Sequence, residues 1–182
     1  MLSLSGTVTL GSLTPPRLET VRRIIVFQKR LAESGAFADP RSHIYYLPEL
    51  YCAYFGRCYA AFMTLPAAAR QAIDPDGAFD SIRTRVLAYV QGVMVVAEMN
   101  VFDAALALIA LGHLGVDVAS FAPALNCIVS YLGEGGRHGP YRAYEWNKMK
   151  TPTRILVGGS EVTSAFVLMG LALARRAMTG QG

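Results

Sequence analysis

A long apolar tract, residues 86–116, constrains the fold of this chain more than any other stretch. Glu98, Asn100 and Asp103 interrupt it near its middle. No uncharged run within it therefore reaches the roughly 18 to 20 residues that cross a bilayer. The tract indicates a pair of buried helices, and we expect no membrane span there.

The composition predicts a single domain that buries surface against partners. A chain of 182 residues is long enough to form one hydrophobic core. Hydrophobic residues make up 53% of it and charged residues only 16%, a low charge density for a freely soluble monomer. The expected partners are copies of the same chain or a membrane surface. A net charge of +4 permits an anionic partner.

The cysteines and the N-terminus predict a reducing compartment. Cys52, Cys58 and Cys127 are odd in number and lack the paired spacings of zinc sites, so we expect buried free thiols and neither metal nor cofactor. Residues 1–17 lack the basic region and apolar core of a secretory signal. The expected location is cytoplasmic, or within a virion if the chain belongs to one.

Prolines, glycines and capping residues divide the chain into an N-terminal arm, residues 1–14, and a helical domain, residues 15–182. The arm alternates loosely and carries no charged side chain, which is typical of an extended segment that pairs with a neighbour. The predicted helices cover about 15–34, 48–65, 66–73, 77–99, 101–114, 120–133 and 160–178. The predicted capping residues are Thr14, Asp74, Asn100 with Asp103, Ser120 and Ser160. The predicted fold class is all-α, a single-domain bundle of six or seven helices with an extended N-terminal arm.

One segment, residues 136–154, is far more basic and aromatic than its surroundings. Cationic groups neutralise phosphates and flat rings stack on bases, a mixture that suits single-stranded nucleic acid. A second interpretation stays open, in which the aromatic rings pin a long loop to the core while the basic groups remain hydrated. The candidate nucleic-acid contacts are Arg137, Tyr141, Arg142, Tyr144, Trp146, Lys148, Lys150 and Arg154.

Two other patterns could carry chemistry, and each has a structural explanation. Residues 154–164 place two glycines before a helix N-terminus, as phosphate-binding loops do, but Glu161 adds a negative charge and a flexible turn explains the glycines. Glu98, Asp103 and His113 could form an interior site. Asp103 also fits a helix cap, and the two carboxylates would lie at one end of a helix pair with His113 at the other.

The order of features in YEWNKMKTPTR and SAFVLMGLALARR, residues 144–154 and 164–176, resembles the C-terminal part of flexuous filamentous virus coat proteins of the potyvirus and potexvirus kind. The resemblance implies an all-helical core that polymerises helically, an arm that docks on the next subunit, and a basic groove that holds single-stranded RNA. It implies phosphate contacts at Arg142, Lys148 and Arg154.

Three functional hypotheses follow from the sequence. The first is a non-enzymatic, self-assembling structural protein that binds or packages single-stranded nucleic acid, with itself and single-stranded RNA as partners. The second is a helical protein-interaction module, such as an adaptor or secreted effector. The third is a small helical enzyme or ligand-binding domain that uses Glu98, Asp103 and His113. The motifs of common enzyme classes are absent from the sequence, so the balance leans away from an enzyme.

Overall fold

The computed structural model describes residues 14–38, 48–95, 99–132, 142–146, 153–156 and 159–180. Seven α-helices form within these ranges, so the predicted all-α, single-domain bundle is confirmed. The helices are α1 (Pro15–Glu33), α2 (Pro48–Met63), α3 (Ala67–Ile73), α4 (Ala78–Val95), α5 (Val101–Leu114), α6 (Ala122–Ser130) and α7 (Ser160–Thr179). One antiparallel hairpin is also present, with strands β1 (Arg142–Trp146) and β2 (Thr153–Leu156). The predicted arm, apart from Thr14, lies outside the described residues.

Two of the predicted helix caps form hydrogen bonds. The carboxylate of Asp74 accepts hydrogen bonds from the backbone N–H groups of Ala78 and Phe79, both at 2.8 Å. The side-chain oxygen of Asn100 accepts from the N–H groups of Phe102 and Asp103, both at 2.9 Å. These bonds satisfy donors that a helix N-terminus otherwise leaves free, so α4 and α5 begin where the sequence predicted.

The predicted caps at Ser120 and Ser160 are wrong, and the Thr14 hydroxyl makes no cap bond either. Residues 118–121 form a 3₁₀ turn that Asp117 caps through the N–H of Ala119, and α6 starts only at Ala122. Ser160 is the first residue of α7, and Gly159 occupies the capping position without a side chain. Thr14 sits at the capping position of α1, where Pro15 fixes the first turn.

Helix α5 is the centre of the core. It is buried on all sides, and it packs chiefly against α2 and α7. The Phe102 ring contacts the Phe166 ring at 5.1 Å, and Gly112 lies against Leu173 further along. Residue numbers therefore rise together along the contact, so α5 and α7 run in the same direction.

Helix α4 lies antiparallel to α5. The Arg83 guanidinium, near the start of α4, donates to the carbonyl of Leu114 at the end of α5, at 2.9 and 3.2 Å. A cation at this place also complements the negative end of the α5 dipole. The neighbours that bury α5 most, however, are α2 and α7 rather than α4.

Two glycines let α5 and α7 approach closely. A Cβ at Gly112 would lie 2.8 Å from the Leu173 Cβ, and one at Gly170 would lie 3.0 Å from the Ala105 carbonyl oxygen. Real Cβ atoms do not reach such distances without displacing their neighbours. The close contact of α5 and α7 therefore depends on the absence of side chains at these two positions.

Helix α1 has a cationic stripe that is only partly solvated, formed by Arg22, Arg23, Lys29 and Arg30. The Arg22 guanidinium is half-buried and donates to the Ala72 carbonyl at 2.6 and 2.9 Å, which ties α1 to α3. Arg23 pairs with Glu19 at 3.1 Å on the exposed surface. The stripe thus contributes one interhelical contact in addition to a hydrated face.

Candidate functional site

The basic and aromatic segment, residues 136–154, is not a loop along its whole length, because residues 142–146 form strand β1. Strand β1 pairs antiparallel with β2, with Tyr144 opposite Ile155, Glu145 opposite Arg154 and Trp146 opposite Thr153. The register shifts between Arg142 and Tyr144, as at a β-bulge. Aromatic and β-branched residues favour strands, and both strands are rich in them. That composition was the signal for a hairpin in the sequence, but the aromatic residues were interpreted as base contacts or as anchors that hold a loop to the core.

The hairpin brings half of the candidate nucleic-acid contacts onto two paired strands. Arg142, Tyr144 and Trp146 lie on β1, and Arg154 lies on β2. The other four candidates lie outside the described residues: Arg137, Tyr141, Lys148 and Lys150. Strand pairing therefore gathers residues that are up to twelve positions apart in the sequence, Arg142 and Arg154, within one small sheet.

The start of α7 is occupied by one of the chain's own carboxylates. Gly159 takes an extended conformation at the capping position, and a Cβ there would lie 2.7 Å from the Oε2 of Glu161. The carboxylate of Glu161 thus folds back over the first turn, where it complements the positive end of the helix dipole. This arrangement agrees with a turn before a capped helix more than with a phosphate-binding loop.

Among the described helices, α7 has the largest number of exposed large apolar side chains. It has no charged side chain from residue 162 to residue 174, yet only Thr163, Val167, Gly170 and Ala174 are buried. Leu168 is 67% exposed. Clusters of exposed apolar side chains mark sites of interaction. The exposed large side chains of α7 are Val162, Leu168, Met169, Leu171 and Met178. At 3.6 residues per turn, Leu168, Leu171 and Met178 share one stripe of the helix, which we call the outer face of α7.

By length and composition, α7 is also the one described helix that could cross a membrane. Within its most apolar 18-residue window, 22% of the residues are buried. The expectation that no segment spans a membrane rested on residues 86–116 and did not consider this helix. The uninterrupted apolar run from residue 162 was the signal for it in the sequence.

The third functional hypothesis required Glu98, Asp103 and His113 to converge. Asp103 belongs to the cap of α5, where its carboxylate accepts from the Asn100 amide at 2.6 Å. His113 lies in the last turn of the same helix, ten residues further on and so roughly 15 Å away. Glu98 lies outside the described residues. Asp103 and His113 do not share a site.

The cysteines lie in three different environments. Cys52 is buried in the core, and burial raises the pKa of its thiol, so it stays protonated. Cys127 is half-buried and donates to the Met99 carbonyl, at 3.2 Å. Cys58 is exposed, which corrects the expectation that all three are buried. Within the part of the chain that the structure describes, no three His, Cys, Asp or Glu residues form a group that could hold a metal ion.

Comparisons with protein-family models, with curated proteins and with solved structures find no match to this chain.

Proposed function

We propose that this chain is a non-enzymatic, self-associating helical protein that binds single-stranded nucleic acid. The observation that carries the proposal is the outer face of α7, a row of large apolar side chains that the fold leaves uncovered. Covering such a face on a second copy removes apolar surface from water, which is the dominant favourable term in association. The same helix is preceded directly by the basic hairpin.

The hairpin and the outer face of α7 are close together along the chain, so the two surfaces could act together. Strand β2 ends at Leu156 and α7 begins at Ser160, so a strand of nucleic acid held at the hairpin would lie close to the assembly face. Association of subunits through α7 would place successive hairpins in proximity. Cooperative binding along a single strand is the expected behaviour of such an arrangement.

The resemblance to flexuous filamentous virus coat proteins suggests the same partners, a single-stranded RNA and further copies of the chain, and hence a virion or the cytoplasm as the location. The basic residues of the hairpin would neutralise phosphates, and its aromatic residues would stack on bases with little preference among sequences. Neither role requires a reactive group or a cofactor.

The test is a titration of labelled single-stranded RNA, followed by fluorescence anisotropy between about 50 and 300 mM salt. We expect the affinity to fall steeply with salt. In the double variant Arg142→Ala with Lys148→Ala, the slope of log K against log salt should flatten by about 0.7 for each phosphate that the protein no longer neutralises. Arg30→Ala with Arg175→Ala is the matched control, because it removes the same charge from exposed helical positions.

Affinity that does not change with salt would contradict the proposal, as would the absence of binding. Equal slopes for the test and control double variants would show that the hairpin is not the contact surface. Negative-stain microscopy of the protein, with and without RNA, should show assemblies that the nucleic acid extends. A monodisperse monomer under both conditions would instead support the hypothesis of a protein-interaction module.

A further inference from the structure

A groove of about 410 Å³ opens at the surface where α2, α5 and α7 meet. Its volume lies within the range of small-molecule pockets. Most of its wall is apolar, with Ile109 from α5 and Leu173 from α7 among the side chains that line it. The described residues that line it are Leu50, Ala53, Tyr54, Arg57, Ile109, His113, Phe166, Met169, Ala172, Leu173 and Arg176.

The polar groups of this groove gather at one end. Arg57, His113 and Arg176 are each the last residue of their helix to line it. Because α5 and α7 run in the same direction, and Leu173 lies against Gly112, Arg176 falls one turn beyond that contact, beside the turn that carries His113. Arg57 belongs to the same end, since a Cβ on its neighbour Gly56 would lie 3.3 Å from the Cβ of His113.

The two arginines at this end have no anionic partner among the described residues. Among the described residues, the ion pairs are Arg23 with Glu19 and Lys29 with Glu33, both on α1. Neither Arg57 nor Arg176 takes part in one of them. None of the described residues that line the groove is an aspartate or a glutamate. Two guanidinium groups that share a groove without a counter-charge favour the binding of an anion between them.

His113 adds a neutral polar group to the cationic end. Partial burial, and the charge of Arg57, lower the pKa of its imidazole below the ordinary value of 6.5. A neutral imidazole has one N–H donor and one acceptor. It can therefore donate a hydrogen bond to an anionic oxygen without adding a third positive charge.

We propose that this groove binds a small amphipathic anion, with a single carboxylate or phosphate head on an unbranched apolar chain. The head lies between Arg57 and Arg176, and the chain lies along Ile109, Phe166 and Leu173 toward the apolar end. The site is independent of the hairpin and of the proposed nucleic-acid binding.

The experiment is isothermal titration calorimetry of the full chain with decanoate and with decyl phosphate, which distinguish the two possible heads. Decanol serves as the uncharged comparison, and decyltrimethylammonium as the cationic one. We expect saturable binding of at least one anion, at one site per chain. Decanol should bind at least roughly tenfold more weakly, because it lacks the charge-assisted hydrogen bonds to the arginines.

Matched variants locate the site. Arg176→Gln should weaken binding of the anion by roughly tenfold, whereas Arg175→Gln removes the same charge from the next residue and should change it less than about twofold. Ala172→Trp should fill the groove and abolish binding, and Ala88→Trp, at a position of α4 outside the groove, is its control. Both substituted positions are exposed, so the variants should fold, and circular dichroism checks that they do.

Three results would overturn the proposal. Decanol or the cationic amphiphile could bind as tightly as the anions, which would make the site merely apolar. Arg176→Gln and Arg175→Gln could have equal effects, which would make the attraction a general one. The third result is that neither anion binds. The hairpin double variant should bind the anion as the wild-type chain does, even if it no longer binds RNA. The two proposals can therefore fail separately.

Discussion

Helices α5 and α7 are both strongly apolar, but the fold uses them in opposite ways. Eleven of the fourteen residues of α5 are buried, from Val101 to Leu114, whereas α7 buries four of its twenty. The apolar character of α5 is therefore accounted for by the core of a single chain. That of α7 is not, and this difference is the physical basis for expecting self-association. Four substitution experiments separate the two helices, or refine the contact between them.

The largest effect should come from truncating a side chain of α5. Leu111 is fully buried, and Leu111→Ala should destabilise the fold by about 2 to 5 kcal/mol, because it removes apolar atoms from the core and leaves a cavity. Leu168→Ala on α7 should cost less than about 0.5 kcal/mol, because that side chain is exposed in a single chain. Urea unfolding of dilute protein measures both. Equal destabilisation by the two substitutions would contradict the contrast between the helices.

The contact between α5 and α7 should be almost as sensitive to added volume. Gly112→Ala should destabilise the fold by about 1 to 3 kcal/mol, because the new Cβ would meet the Leu173 Cβ at 2.8 Å. Gly92→Ala is the matched control, since Gly92 lies within α4 with no atom near the added methyl group. It should stabilise the fold by about 0.5 to 1 kcal/mol through helix propensity. Thermal unfolding would reveal the opposite signs, and the same sign for both would refute the close approach.

A smaller effect should follow from removing the cap of α5. Asn100→Ala deletes the acceptor of two backbone N–H groups and the partner of Asp103, and it should cost about 1 kcal/mol. Asn100→Asp keeps an acceptor and should retain most of the stability. Chemical denaturation measures the free energy of unfolding of the two variants. If alanine and aspartate were equally harmful, the role of the residue would not be capping.

The smallest effect concerns pH and His113, at the end of α5. Its pKa in the folded chain lies below 6.5 because burial and Arg57 disfavour the imidazolium form. The imidazole therefore binds a proton more readily in the unfolded chain. Above about pH 6.5 this difference has no effect on stability, and below that pH it reduces the stability of the folded chain. In His113→Gln, the free energy of unfolding should depend less on pH between about 5 and 7. An unchanged profile would mean that His113 is not perturbed.

The sequence predicted the helices well where a local signal determines their ends. Asp74 and Asn100 are followed at the right spacing by free backbone donors, so local chemistry suffices to place α4 and α5. Ser120 and Ser160 have the right residue type but do not cap, because a 3₁₀ turn and a glycine take over the start of α6 and α7. Residue type alone does not reveal such competition.

The partners of α5 and the groove were beyond prediction from the sequence, and the hairpin had only a signal in its composition. The apolar sequence of α5 indicates that the helix is central, but it does not indicate which helices cover it. The covering helices are determined by close contacts such as that of Gly170 with Ala105. The hairpin pairs residues on either side of a six-residue connection, 147–152. The groove combines Arg57, His113 and Arg176 from three helices that are distant in sequence. Each feature depends on tertiary packing.

Sedimentation velocity over a range of protein concentrations tests the central claim that the outer face of α7 is an assembly surface. The wild-type chain should form assemblies whose mass grows with concentration, and Leu168→Glu should remain a monomer with an unchanged circular dichroism spectrum. Ala88→Glu, which places the same charged group at an exposed position of α4, should still assemble. A wild-type monomer at all concentrations, or equal masses for wild type and Leu168→Glu, would contradict the claim.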